Sequence, residues 1–407
     1  MDDAEKERIE RVIVYGEGLF ITAVMMVVPT RAPLVLGILD GDTAATARAM
    51  GLMSSCAASL ELLLNPAFGR LSDKYGRKPF LILAPALDAG LHALVALFPK
   101  SLKMTFVDRV ISGSMMFCFL SPVNAALADL YGTGPTLTSK MARAQMFFGA
   151  GLALGPYIGS KLGGARSFAV SAATFLATIV WFWTKLPETL RKDRRKEFDI
   201  TACNPLRFLA LFKQRMTATL AATIGLQSFG DYMNTYDINF LYLNRVFGYD
   251  GAQVGNFATA VGVSQVINGE LTKRLSTVLS RKLLTSLSNG FWMAAMVSLG
   301  TSKSVKQIGL ALFLMAFGHL RAGAVNNYLQ HHGQAGGMGA AEIEAAKANL
   351  TAMLKVFVPL LYGNVFAWAT SHGRNLPGAP YFLIAGLTVL AQGVFSSVDP
   401  DEKAKRS

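Results

Sequence analysis

Six polar side chains, four of them ionisable, stand inside otherwise apolar stretches of this 407-residue chain: Glu17, Arg109, Gln227, Asp231, Asn234 and Arg321. Such groups are costly in a low-dielectric interior and persist where they face water, a partner or a passing solute. A carboxylate so placed, Glu17 or Asp231, can take up and release a proton. An arginine can neutralise an anion, and an amide can hydrogen-bond a polar solute. Gln227, Asp231 and Asn234 follow an i, i+4, i+7 spacing and are expected on one inward face of one helix. Other polar positions have a structural reading beside the functional one. Asp108 is expected to neutralise its neighbour Arg109 or to lie near an interface. Asp88 and His92, four apart, have two readings, a proton relay and, on a peripheral helix, a structural pair; Glu61 and Glu270 read as packing groups. Asn326, Asn327 and Gln330 are further candidates for facing a solute, with an interhelical hydrogen bond as the alternative. The His331-His332 pair lacks a third ligand, and Cys56, Cys118 and Cys203 are too far apart for a metal or redox motif.

The elements that carry these residues are membrane helices. The chain is 52% hydrophobic and only 16% charged, against about 25% charged in soluble proteins. A spanning helix needs about 20 mostly apolar residues. Twelve such segments are expected at 12–36, 46–68, 80–98, 104–130, 141–163, 167–186, 216–243, 252–271, 283–300, 307–329, 346–370 and 379–397. Placing the amino terminus in the cytoplasm puts 26 of the 39 Lys and Arg on that side, ten on the other and three within spans. This satisfies the positive-inside rule with both termini cytoplasmic. It also explains the net charge of +13 without nucleic acid, for which no basic stripe with interleaved aromatics exists. The run Arg191, Lys192, Arg194, Arg195, Lys196 marks an exposed linker, 187–215, between halves 1–186 and 216–407.

Between the second and third segments lies Gly69-Arg-Leu-Ser-Asp-Lys-Tyr-Gly-Arg-Lys-Pro79, five charges in eleven residues. It reads as a short loop in which Asp73 and Arg77 pair if a helical turn forms. A worn copy, Asn268-Gly-Glu-Leu-Thr-Lys-Arg-Leu followed by Arg281-Lys282, occupies the matching place in the second half, with Lys273 where Asp73 stands in the first. The pattern, with Gly69, Leu71, Asp73, Gly76, Arg77 and Lys78 all in place, resembles the loop signature of the major facilitator superfamily. Arg109-Val-Ile-Ser-Gly113 is similar to that family's fourth-helix motif, with Ser112 where Gln is usual. Gly151-Leu-Ala-Leu-Gly155-Pro156-Tyr-Ile-Gly159 resembles its antiporter-associated motif, with Ser160 in place of the last Gly. Leu186-Pro-Glu-Thr189 is a further short match. Ala-Asp129 ending the fourth segment resembles the tetracycline-efflux-like and hippocampus-abundant-transcript-like members.

The resemblance implies an all-α polytopic membrane protein of twelve helices in two pseudo-symmetric six-helix bundles. Helices 1, 4, 7 and 10 would line a cavity holding Glu17, Arg109, Gln227, Asp231, Asn234 and Arg321. Gly69, Asp73, Gly76, Arg77, Lys78 and Asp129 would form a cytoplasmic gate, and Gly151, Gly155, Pro156 and Gly159 a pivot. The expected function is secondary transport of a small organic solute by alternating access, as proton-coupled antiport or efflux. A uniporter or symporter of a polar metabolite such as a sugar, and a transport-inactive receptor or scaffold, are the alternatives. Without a nucleotide-binding G-x-x-x-x-G-K-[ST] loop, ATP-driven pumping is not expected, and without a Ser/His/Asp, His-rich or Cys/His spacing no enzyme activity is expected. No cofactor is expected beyond the proton as coupling ion. The expected partners are a small-molecule substrate and the lipid bilayer, with the protein acting as a monomer.

Overall fold

The computed structural model describes residues 2–132, 135–195, 197, 204–275, 278–371 and 374–398. Among them the regular structure is helical: α1 (Asp3–Met26), α2 (Val28–Ile38), α3 (Thr43–Tyr75), α4 (Arg77–Leu97), α5 (Leu102–Tyr131), α6 (Pro135–Leu162), α7 (Gly164–Lys185), α8 (Arg215–Ser228), α9 (Tyr232–Phe247), α10 (Gly251–Leu275), α11 (Arg281–Gly300), α12 (Val305–Gly318), α13 (Arg321–Ala335), α14 (Ala340–Thr370) and α15 (Ala379–Ser396). Short 3-10 turns occupy Lys192–Arg194 and Pro205–Phe212 in the expected linker. Lys196 and Cys203 lie outside the described residues, as do the side chains of Asn234, Asn268, Glu270 and Lys273.

Each of the twelve expected segments coincides with one helix or with a helix in two pieces. Among the described residues, seven stretches are long and apolar enough to cross a membrane on their own: Asp3–Ile38, Thr43–Tyr75, Arg77–Leu97, Leu102–Tyr131, Gly164–Lys185, Glu342–Thr370 and Ala379–Ser396. The segments at 216–243 and 307–329 fall short because each is split, into α8 and α9 and into α12 and α13. The first segment bends at Val27, between α1 and α2. Pro29 and Pro33 follow the bend, and proline supplies no N–H to the preceding turn.

The chain packs as two units. Unit 1 comprises residues 1–42, 53–204 and 249–259; unit 2 comprises 43–52, 205–248 and 260–407. Thus the first turns of α3 pack in unit 2, and the first turns of α10 pack in unit 1. Glycine makes both exchanges tight. A Cβ on Gly51 would lie 2.7 Å from the Pro359 carbonyl oxygen of α14, and one on Gly255 would lie 2.9 Å from Ser160 Cβ of α6. The core of unit 1 centres on Phe20, Phe119, Phe175 and Phe182, with the Phe20 and Phe119 rings stacked 3.9 Å apart. A smaller core in unit 2 gathers Leu220, Val325, Leu329, Ile343 and Phe395.

Candidate functional site

In unit 2 the functional geometry begins at the break between α8 and α9. A helix that breaks inside a membrane frees backbone carbonyls, which must find other donors. Here side chains supply them. Arg321 Nη2 donates to the Gln227 carbonyl at 3.0 Å, and Tyr362 Oη donates to the Phe229 carbonyl at 2.7 Å. Gly230 lets this happen, because a Cβ there would come within 2.6 Å of Trp292 Nε1 and 3.1 Å of Arg321 Nη2. The Arg321 guanidinium stands over the Trp292 indole, 4.0 Å from its centroid. A desolvated cation over an indole face gains about 2 kcal/mol.

The centre is not saturated. Arg321 and Gln227 are each 3% exposed, yet Arg321 Nη1, Gln227 Oε1, Trp292 Nε1 and His319 Nε2 have no hydrogen-bond partner. Gln227 spends its amide nitrogen on Asn289 Oδ1 at 3.0 Å, and Asn289 Nδ2 in turn donates to Gln392 Oε1 at 2.9 Å. Asp231 is the residue before the first turn of α9; its side chain is open to solvent, and Arg321 and Lys355 lie within electrostatic reach of it. Gln227, Asp231 and Asn234 therefore do not share one continuous helical face. The break separates Gln227 on α8 from Asn234 on α9, and it couples Gln227 to Arg321 instead. Asn326 and Gln330 bond Glu344 of α14, and Asn326 also accepts from Lys347 at 2.9 Å, which makes them interhelical ties.

In unit 1, Glu17 of α1 is 1% exposed, and its Oε2 is without a hydrogen bond. Arg109 Nη2 donates to Ser54 Oγ of α3 at 3.0 Å. The guanidinium folds back along α5 so that a Cβ on Gly113 would lie 2.6 Å from Nη1. This gives the R-x-x-x-G spacing its physical reason: the glycine one turn on leaves room for the arginine. Asp108 does not serve Arg109. Successive residues leave a helix about 100° apart, and Asp108 pairs instead with Arg31 of α2 at 2.8 Å.

The Gly69–Pro79 signature is mostly helix. α3 runs to Tyr75, α4 starts at Arg77, and Gly76 alone forms the turn at φ 109°. Arg77 is 6% exposed. It reaches Asp73 at 2.6 Å, Asp129 of α5 at 3.0 Å through Nε, and Ser72 Oγ at 2.8 Å. The expected Asp73–Arg77–Asp129 grouping is thus assembled within this unit. A residue of the short Leu-Pro-Glu-Thr match completes it. Glu188 accepts from the backbone N–H groups of Arg77 at 2.8 Å and Lys78 at 3.2 Å, capping α4 from 110 residues away. Lys78 Nζ meanwhile donates to the Trp183 carbonyl at 2.9 Å. On the same end of the unit, Glu10 is fully buried and accepts from Lys140 at 2.7 Å, Tyr131 at 3.0 Å and Arg143 at 3.3 Å. Nothing in the spacing of Glu10 marked it; only its place in an apolar turn did.

Gly151, Gly155 and Gly159 lie on one buried face of α6 against α1. A Cβ on Gly151 would lie 2.8 Å from Ile21, one on Gly155 2.5 Å from Met25 Cβ, and one on Gly159 would overlap the Met26 carbonyl. Pro156 lies within the helix on the same buried face.

Comparison with known proteins agrees with this architecture. The model of the Major Facilitator Superfamily matches residues 17–341. The chain is 25% identical to the tetracycline resistance protein, class H, of Pasteurella multocida over 80% of its own length and 81% of that protein. It is 23% identical to hippocampus abundant transcript-like protein 1 of Bos taurus, covering 84% of this chain and 72% of that one. The crystal structure of the human organic anion transporter MFSD10 superposes with a TM-score of 0.67 at 20% identity, over 97% of this chain and all of that one.

Proposed function

Because the chain belongs to the Major Facilitator Superfamily, and so is a membrane transporter of small molecules, we propose that it exchanges a small organic solute for protons. The carrying observation is the unsaturated polar centre of unit 2. A carboxylate open to solvent, Asp231, lies beside a buried arginine with a free N–H and an amide with a free oxygen. A broken helix near the middle of a span, with such groups at the break, is how secondary transporters build solute sites. Arg321, Gln227 and Trp292 would bind the solute. Glu17 and Asp231 would take up and release the protons that are exchanged for it. The free N–H groups of Arg321 and Trp292 favour a solute bearing an anionic or carbonyl group. The tetracycline resistance relatives support the efflux direction.

In this reading Arg77, held by Asp73 and Asp129 with Gly69, Gly76 and Lys78 shaping the turn, is the cytoplasmic gate. The glycine face of α6, with Pro156, is the pivot. Arg109 belongs to the solute and proton pathway, residues 187–215 link the halves, both termini are cytoplasmic and the protein works as a monomer. The test is an untargeted flux screen with purified protein in liposomes, followed by Asp231→Asn and Arg321→Gln on each solute that moves. Loss of solute binding in Arg321→Gln, and of proton exchange in Asp231→Asn, is expected. Wild-type flux in both variants would remove the centre from transport.

A further inference from the structure

One buried cluster in unit 1 has no part in that reading: Arg31 of α2, Asp88 and His92 of α4, and Asp108 of α5. All four are 5% exposed or less, and both aspartates are at 0%. Their hydrogen bonds can be followed atom by atom. Ser171 Oγ of α7 stands 2.6 Å from the Ala23 carbonyl, which can only accept, so the hydroxyl proton is spent there. The contact between that oxygen and His92 Nδ1, at 2.8 Å, must therefore be donated by the imidazole. This fixes the proton of a neutral His92 on Nδ1 and leaves a bare lone pair on Nε2. Nε2 faces Asp108 Oδ1 at 3.3 Å. A lone pair against a carboxylate oxygen is repulsive, and a proton between them makes the contact attractive.

The donors around the two aspartates are also accounted for. Asp108 Oδ2 takes Arg31 Nη2 at 2.8 Å, and its Oδ1 takes the Ser112 hydroxyl at 3.2 Å. Neither oxygen of Asp88 has a well-formed hydrogen bond, and the Ser112 hydroxyl and the Arg31 charge are what act on it. Besides Arg31, the titratable groups on the other elements packed here are Glu61 of α3 and Cys118 of α5, which both Glu61 and Asp88 influence. The Phe168 and Phe175 rings flank His92 at 5.4 and 5.2 Å and exclude water. With Asp88 and Asp108 ionised and His92 neutral, the four residues carry an uncompensated negative charge in a dry interior, which costs several kcal/mol. A single proton cancels it, whether it rides on His92 Nε2 or on Asp88.

We propose that Asp88, His92 and Asp108, anchored by Arg31, form a buried binding site for one exchangeable proton. The proton titrates with the cluster rather than with any one residue. The site stands independently of the antiport reading, which rests on Glu17 and Asp231. Two neutral variants test it in the full-length protein, without any solute. In Asp88→Asn the remaining groups, Arg31⁺, Asp108⁻ and neutral His92, balance without the extra proton. In His92→Gln the proton is confined to the carboxylates.

The measurement is infrared difference spectroscopy of the purified protein across a pH titration, with protons counted in parallel. Asp88→Asn is expected to bind about one proton fewer than wild type and to fold with unchanged thermal stability. His92→Gln is expected to keep the proton and to show it as the carbonyl stretch of a carboxylic acid. Equal proton counts in wild type and Asp88→Asn, or no carboxylic acid signal in His92→Gln, would overturn the proposal and leave a structural ion-pair cluster. Solute flux in the same variants is a separate readout, so loss of the proton site and failure of the antiport reading are distinguishable.

Discussion

Glu188 and Gly76 are coupled, and the coupling can be measured. The Glu188 carboxylate accepts from the N–H groups of Arg77 and Lys78, the first two of α4. An acidic cap of this kind contributes about 0.5–2 kcal/mol, and its charge at a helix N-terminus about 0.3–1 kcal/mol. Glu188 is exposed, so solvent screens part of both, and Glu188→Ala is expected to cost about 1–2 kcal/mol. Gly76 sits at φ 109°, and a Cβ there would overlap the same carboxylate. Gly76→Ala therefore has two costs: strain of about 1–3 kcal/mol at a positive φ, and displacement of the carboxylate, which removes the cap. In a Glu188→Ala background the second cost has already been incurred. The double variant should be more stable than the sum of the single changes implies, by about 1 kcal/mol. Reversible unfolding of the four proteins in one detergent gives this number. Strictly additive costs would show that the carboxylate does not fill the space beside Gly76 and would refute the capping geometry.

Other changes have equally definite outcomes. Asp129→Asn leaves Arg77 with Asp73 alone, and Asp73→Asn leaves it with Asp129. Each should destabilise the end of the bundle by about 1–2 kcal/mol and impair turnover more than solute affinity, read as a kcat loss at near-constant KM. Gly159→Ala places a methyl on the Met26 carbonyl and should cost about 1–3 kcal/mol as an overpacked contact, whereas Gly149→Ala, open at Cβ, should be neutral in the same thermal melt. Arg321→Lys keeps the charge but not the planar stack on Trp292 or the aim at the Gln227 carbonyl. It should lower solute affinity roughly tenfold, about 1.4 kcal/mol, seen in flux at low solute concentration. The sequon Asn349-Leu-Thr351 should remain unglycosylated on expression in a glycosylating host, because α14 enters from the cytoplasmic side in the proposed topology.

Local pattern revealed most of the fold. Each apolar segment maps to a helix because twenty apolar residues in lipid have little alternative. Asp73 and Arg77 meet because they stand four apart across one turn, and the Gly151, Gly155, Gly159 face packs because its spacing follows the helix; Asp129, on another helix, was implied by the family resemblance alone. What stayed hidden depends on distant partners. The break at Phe229–Asp231 has no proline to announce it; Arg321 and Tyr362, 94 and 133 residues away, hold its carbonyls. Asp108 finds Arg31 rather than Arg109, and His92 finds Ser171 and Asp108 rather than Asp88, because helix packing, not sequence proximity, sets those contacts. Glu188 stands in a short four-residue match, and only the fold brings its carboxylate to the start of α4.

The central claim is exchange of solute for protons, and proton-gradient-driven flux tests it most directly. Purified protein in sealed liposomes, loaded with a solute from the flux screen, is given an imposed pH gradient. The account predicts solute accumulation against its own gradient while the pH gradient lasts, and collapse of that accumulation when a protonophore dissipates it. Flux that runs only downhill and ignores the pH gradient would contradict it.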